Sequence, residues 1–451
     1  MARLIAIPLL TVALLLAQPA RVYIEPFDGP LHDQLVNQLK KDARVDVVDS
    51  AAQADLLVEG SGRTWVKGFI STNPRVRYRS SDAQPVYTGY LSVELQNRRK
   101  ETVWSWLATP GRFDAHDINR NLAERMAPKL AEAVAENSAE LTAGPATSGG
   151  GEALTAAGAT FPYPLYRKWF DSFGANVRYA ALGSGAGIEE LRKGEVDFAA
   201  SDMPLADSVL ADMPFQLRQV PTVIGGVVPI YNVKGVTQDL RFTPEALAGI
   251  FLGRVRRWDD PVLKAANPHV ALPARDIAVV HRGDNSGTTF IWTSYLAAVS
   301  EAWRSGPGHG LAVEWPTGTA ARGNDGVAEL VGKTPDAIGY VEFIYALQNQ
   351  LSYGWLRNRA GRFVQASLET LTAAGAIGSG DLRAPIVNAP GANAYPIASF
   401  TYLLIPDKAT DPAKQKTLTE LLRWMLTTGQ KQCAALGYAS LPEAVARKAM
   451  P

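Results

Sequence analysis

The run Arg282-Gly283-Asp284-Asn285-Ser286-Gly287-Thr288-Thr289-Phe290 follows the apolar stretch Ile277-Ala278-Val279-Val280 and leads into a second one, residues 290–296. The first stretch reads as a strand and the second as a helix, which makes the run a strand-to-helix turn. A helix start leaves its first N–H groups without internal partners and carries a partial positive charge. Ser286, Gly287 and Thr288 add hydroxyls and backbone N–H groups at that start. Arg282 and Asp284 lie two apart in extended chain and so share a face. Asp284 can hold the guanidinium while Arg282 turns its fork to a ligand oxygen. Together these groups describe a cradle for a tetrahedral oxyanion.

Two earlier turns repeat the design. Gly158-Ala159-Thr160-Phe161-Pro162 places Thr160 as a helix cap and Pro162 in the first helical turn. A ligand can accept from the Thr160 hydroxyl and the Phe161 N–H. Gly183-Ser184-Gly185-Ala186-Gly187 mimics a dinucleotide fingerprint, a weak signal when alone. The acidic residue expected some twenty positions on is Asp202, but it sits in Phe198-Ala199-Ala200-Ser201-Asp202-Met203-Pro204, a strand end before a turn. Ser184 at a glycine-lined helix start therefore reads better as an anion ligand. Asp202 decides the ligand class. A carboxylate beside fully ionised sulfate is repulsive, whereas phosphate near neutral pH keeps a proton that it can donate. An acceptor within a ring of donors selects phosphate or arsenate.

The chain has 451 residues, too many for one ordinary core. Its net charge of +1 argues against a nucleic-acid or polyanion surface, so anion recognition must be local. Met1-Ala2-Arg3 and the apolar residues 4–16 read as a secretory signal (residues 1–20), too short to span a bilayer. Cys433 is the only cysteine, which excludes an internal disulfide, a thiolate metal cluster and a lipid-bearing cysteine near residue 20. A periplasmic protein without a lipid anchor is expected.

Residues 138–152 form a Gly/Ser/Pro-rich linker, which implies loose coupling between its neighbours. Residues 21–137 read as a small α+β domain with one sheet and two helices. Its basic loop (Arg75, Arg77, Arg79) and tryptophans (Trp65, Trp104, Trp106) suit either a partner surface or solvated loop and core aromatics. Residues 153–451 alternate strands and helices, the pattern of an α/β fold with helices on both faces of its sheet. In such folds ligands sit beyond the carboxyl ends of the strands, where all three turns fall.

Phosphoryl hydrolysis needs a metal pair or an activated nucleophile. The five histidines, His32, His116, His269, His281 and His309, show no paired ligand spacing. Ser286 lacks a G-x-S-x-G elbow and has only His281 nearby. A non-catalytic binder with no metal and no cofactor is the expectation, with an envelope scaffold or phosphate sensor as the alternative.

Thr155 to Pro162, Gly183-Ser184, Val196 to Asp202, Ile224 to Val227, Arg282 to Thr288, Asn324 to Val327, Ala337 to Glu342 and Tyr438 to Pro442 run in order through residues 153–445. In these motifs the chain resembles the periplasmic phosphate-binding proteins of phosphate ABC importers. The resemblance implies a type II periplasmic binding fold, two lobes closing on phosphate about a hinge, and delivery to an inner-membrane permease. It implies side-chain contacts to phosphate from Thr160, Ser184, Asp202, Arg282, Ser286 and Thr288. Backbone contacts would come from Phe161, Gly287 and Thr288, with Asp284 orienting Arg282. One lobe would hold residues 153–225 and the chain from about 397, the other the residues between. Gly185, Ala186 and His281 depart from the family pattern, which more often has serine, glycine and arginine there. In element order, residues 21–137 resemble the amino-terminal domain of the Tol-Pal translocation protein and related envelope-assembly domains, which implies an envelope protein partner.

Overall fold

The computed structural model describes residues 19–71, 83–110, 117–137, 151–174, 176–376, 383, 386–407 and 411–451. Residues 1–18 of the expected signal (1–20), the loop with Arg75, Arg77 and Arg79, and residues 138–150 of the expected linker (138–152) lie outside the described residues. Ala20 already pairs with Val45 in a strand, so a cut after Ala20 would remove the first residue of that strand. Among the described residues no helix is long and apolar enough to cross a membrane.

The amino-terminal domain is a five-stranded sheet in the order Val45–Val47, Ala20–Ile24, Leu56–Ser71, Ala83–Gln96, Thr102–Ala108. Helices Gly29–Leu39 and Ile118–Asn137 cover one face. Leu31, Leu35 and Leu39, spaced by one turn, and the stripe Ile118, Leu122, Met126, Leu130 bury against Val22, Val58, Leu91, Val93 and Leu95. Strand Leu56–Ser71 pairs along its length with Ala83–Gln96. Gly60, Gly62 and Gly68 weaken the alternation that would have signalled its extent. Trp104 and Trp106 stack at 6.4 Å as partly buried core aromatics, with Lys129 Nζ 4.1 Å over the Trp106 ring.

The larger unit is built on a nine-stranded sheet. Leu154–Gly158 runs parallel to Val177–Ala180 and Phe198–Ser201. Ala278–Arg282 runs parallel to Thr319–Ala321 and Ala337–Glu342. One long strand, Leu217–Asn232, joins the two groups. Its first part, to Gly226, pairs antiparallel with Ala398–Pro406, and its second, from Val227, with Ala337–Glu342. This strand is buried almost throughout, as expected for one covered on both faces. The partner changes at Gly226/Val227, where the chain also returns through Ile397, whose carbonyl accepts from Val227 N–H at 2.8 Å. Two lobes therefore meet at two adjacent chain crossings.

The coupling between the domains is not the loose one that the linker composition suggests. Ser92 and Ser105 on the small sheet donate to the carbonyls of Ala435 (2.8 Å) and Lys431 (2.6 Å), and Glu94 pairs with Lys168 at 3.1 Å. All three partners belong to the first lobe. On the second lobe, Lys67 pairs with Asp239, and Lys129 with Glu369 at 3.7 Å. Leu107 is part of the large core. Side chains on the sheet, and not linker length, decide how the domain sits.

Candidate functional site

Four strands end at one cleft: Leu154–Gly158, Val177–Ala180 and Phe198–Ser201 from the first lobe and Ala278–Arg282 from the second. Gly183, at φ 103°, turns the chain from the second of these strands into helix Ser184–Lys193. Such a backbone strains any residue with a side chain. Ser184 is fully buried at the start of this helix, and its Oγ accepts from Asp202 N–H at 3.3 Å. Opposite it, helix Gly287–Val299 starts three residues earlier than its apolar stretch suggests, which puts the Gly287 and Thr288 N–H groups in its unpaired first turn. Ser286 is the cap: its Oγ accepts from Thr289 N–H at 3.1 Å, which leaves its own proton to donate elsewhere. A Cβ on Gly287 would collide with Asp202 Oδ2 and Ser184 Oγ, so glycine lets the helix start approach the first lobe.

Arg282 and Asp284 pair as the two-residue spacing suggests. Arg282 Nε donates to Asp284 Oδ1 at 2.7 Å and Nη2 to Oδ2 at 2.5 Å. Gly323 N–H adds a bond to Oδ1 at 3.2 Å. Burial would raise the Asp284 carboxyl, but the hydrogen bonds and charge of Arg282 outweigh it and hold the group below its ordinary value. Arg282 Nη1 reaches the Thr288 hydroxyl at 3.3 Å, and Arg282 N–H donates to Tyr340 Oη at 3.2 Å.

Asp202 is 1% exposed. Its Oδ1 accepts from Thr401 Oγ1 at 2.7 Å, and its Oδ2 is buried without a hydrogen-bond partner. Thr401 lies at a register shift in strand Ala398–Pro406, the kind of irregularity that re-aims a side chain. Burial pushes the Asp202 carboxyl up to about 7, against the pull of Thr401, Arg282 and Ser184. A raised folded pKa gives stability that is complete below the unfolded value and is lost as pH rises through the folded one. Between 3.8 and about 7 that amounts to roughly 4 kcal/mol. The ligand-free Asp202→Asn protein should therefore be more stable than wild type at pH 8, by up to about 4 kcal/mol, and the gap should close toward pH 4. Urea denaturation at the two pH values measures it; the same gap at both would contradict the assignment.

Thr160 is not the expected cap. Helix Tyr163–Phe173 starts after Pro162 with no side-chain cap. The Thr160 hydroxyl instead accepts from Asn324 Nδ2 at 2.9 Å, and its carbonyl from Tyr345 Oη at 2.7 Å. Phe161 is buried, and its carbonyl accepts from Tyr438 Oη at 2.6 Å. His281, the histidine nearest Ser286 in sequence, stacks on Trp315 at 4.7 Å and meets the Arg282 carbonyl at 3.0 Å. It therefore does not pair with Ser286 as a base.

Thr160, Ser184, Asp202, Arg282, Asp284, Ser286, Gly287 and Thr288 thus lie around one cleft, and a cavity of about 540 Å³ lined by Gly185, Glu189, Asp284, Asn285 and Arg322 opens beside them. Sequence reading missed Thr401, Asn324, Tyr345 and Tyr438. Asn324 opens the Asn324-Asp325-Gly326-Val327 motif, the one signal that marked it.

A family model described as a PBP superfamily domain matches residues 142–428, beginning after the small domain. The phosphate-binding protein PstS of Pasteurella multocida is 40% identical over 309 residues, covering 66% of this chain and 88% of that protein. PstS of Haemophilus influenzae is 39% identical over 298 residues, covering 64% and 89%. The solved phosphate-binding protein of Stenotrophomonas maltophilia shares the fold, with a TM-score of 0.52 and 22% identity over 66% of this chain and 92% of its own. A high-affinity periplasmic phosphate-binding protein solved with phosphate superposes likewise, with a TM-score of 0.53 and 20% identity. By its sequence and its two-lobed architecture, this chain belongs to the PBP superfamily and, within it, to the PstS phosphate-binding protein family.

Proposed function

We propose that the protein binds inorganic phosphate in the periplasm and delivers it to an ABC permease in the inner membrane, without turning it over. The observation that carries the reading is Asp202 Oδ2, a buried, unpartnered carboxylate oxygen among donors. The Ser184, Ser286, Thr160 and Thr288 hydroxyls, the Gly287 and Thr288 N–H groups, the Phe161 N–H and Arg282 supply protons to the oxygens of a tetrahedral anion. Asp202 accepts the proton that the anion still carries. A fully ionised anion leaves two acceptors facing each other in a buried site, which is where hydrogen-bonding sites discriminate most strongly. The PstS relatives are named for phosphate binding, in agreement with this chemistry.

Isothermal calorimetry on the mature protein, stripped of bound ligand, tests the reading. Tight binding of phosphate and no heat from sulfate are expected at pH 8.5, where the Asp202 carboxyl is ionised. A folded protein silent to phosphate would sink it.

A further inference from the structure

Asn324 is completely buried at the second position of helix Gly323–Lys333, in the second lobe. Its Oδ1 accepts from Glu342 N–H at 3.0 Å. A backbone N–H can only donate, so the amide oxygen must face it, and the NH2 group must face the other way. That group meets the Thr160 hydroxyl of the first lobe at 2.9 Å and the Thr288 hydroxyl of the second at 3.3 Å. Thr288 Oγ1 also receives Arg282 Nη1 at 3.3 Å. A hydroxyl oxygen that accepts such donors has to send its own proton elsewhere. The Thr288 oxygen has both acceptor positions taken, and its proton is left for the cleft. The Thr160 hydroxyl is turned in the same sense.

We propose that Asn324 is a positioning residue: its amide bridges the two lobes and holds the Thr160 and Thr288 hydroxyls as donors toward phosphate. The inference rests on the phosphate reading above. Asn324 touches no ligand atom in this account; it acts through the two threonines. The same amide would favour closure, because one of the two bonds from its NH2 group crosses between lobes. Donors serve sulfate and phosphate alike, so discrimination between them stays with Asp202.

The isosteric variant Asn324→Asp tests the idea. A carboxylate at that place still accepts from Glu342 N–H but pulls the two hydroxyl protons inward, away from the ligand. It also sets a negative charge beside an anion. Phosphate affinity at pH 8 should fall by about a hundredfold or more, from hydrogen bonds to a charged group. The ratio to wild type should recover as pH falls and the new carboxyl takes up a proton it can donate. The other charged and titratable groups around the site, Arg282, Asp284, Asp202, Glu342, Asp325 and Tyr345, are present in both proteins, so the pH dependence of the ratio comes from the new carboxyl and its coupling to them. Asn324→Ala removes the donor without adding an acceptor and should weaken binding by a smaller factor that does not vary with pH.

Calorimetry across pH 5.5–8.5 on the full chain, with thermal melts of the ligand-free variants, reads both effects. Equal losses in the two variants at every pH would mean that Asn324 only fills space, and the proposal would fall. So would an Asn324→Asp protein that binds phosphate like wild type. If Asn324→Asp does not fold, a double-mutant cycle of Asn324→Ala with Thr160→Val decides instead: coupled losses support the bridge, and additive ones overturn it. A wild-type protein that binds no phosphate overturns the phosphate reading itself, a result distinct from a binding wild type with an unaffected variant.

Discussion

Arg282→Met is expected to weaken phosphate binding by about thirty- to several-thousand-fold. The guanidinium is 1% exposed and held in two bonds by Asp284. Removing it takes a buried cation from the cradle and leaves Asp284 without its counter-charge a short distance from an anion. Truncating one member of a buried, hydrogen-bonded charge pair costs roughly 2–5 kcal/mol, which converts to that range. The loss should appear as a higher Kd for phosphate by calorimetry or competition, with sulfate remaining unbound. The double variant Arg282→Met with Asp284→Asn should recover part of the affinity, because the stranded carboxylate is gone. A single variant within threefold of wild type would show that the N–H groups of the helix start suffice and that Arg282 is structural.

The second large effect is on specificity. Asp202→Asn replaces the unpartnered acceptor with an amide that can donate, so a fully ionised anion no longer meets a second acceptor. Sulfate should then bind measurably, and the preference for phosphate should fall by a factor on the order of 10⁴ at most. The wild type has its own pH signature. Burial puts the Asp202 carboxyl at about 7, so below that pH it carries a proton and donates. Sulfate rejection should weaken as pH falls through about 7 in wild type and stay flat in the variant. Competition of sulfate against phosphate from pH 5.5 to 8.5 measures both curves. A variant that refuses sulfate as firmly as wild type would place discrimination elsewhere.

What was legible in the sequence was local. Arg282 and Asp284 share a strand face, and Ser286 to Thr288 open a helix; each relation spans a few residues and follows from backbone periodicity. Asp202 was legible because a carboxylate at a strand end among anion-binding turns is a chemical contradiction that asks for a protonated ligand. The remaining members arrive through topology. Thr401 reaches Asp202 across 199 positions beside an antiparallel strand pairing, and Asn324 reaches Thr160 across 164 from a helix on the other lobe; no short window contains either. Thr160 illustrates the cost of local reasoning. A threonine before a proline reads as a cap, yet a long-range donor claims its hydroxyl. The seating of the small domain was illegible for the same reason: Ser92 and Ser105 look like solvent-facing strand residues until the carboxyl-terminal segment is laid against them.

That seating has a consequence for motion. The amino-terminal domain has one footing on each lobe, so the cleft cannot widen without loosening one of them. The first-lobe footing is made of short, largely buried bonds from Ser92 and Ser105. The second-lobe footing includes Lys129–Glu369, whose side chains are 40% and 50% exposed, and Lys67–Asp239. Exposed ion pairs contribute little each and fade as dissolved salt screens them. The Lys129–Glu369 contact is the part of that footing that salt loosens, whereas Lys67 is 10% exposed and better shielded, so ionic strength becomes a control on how freely the two lobes swing apart, separate from any effect on the anion between them.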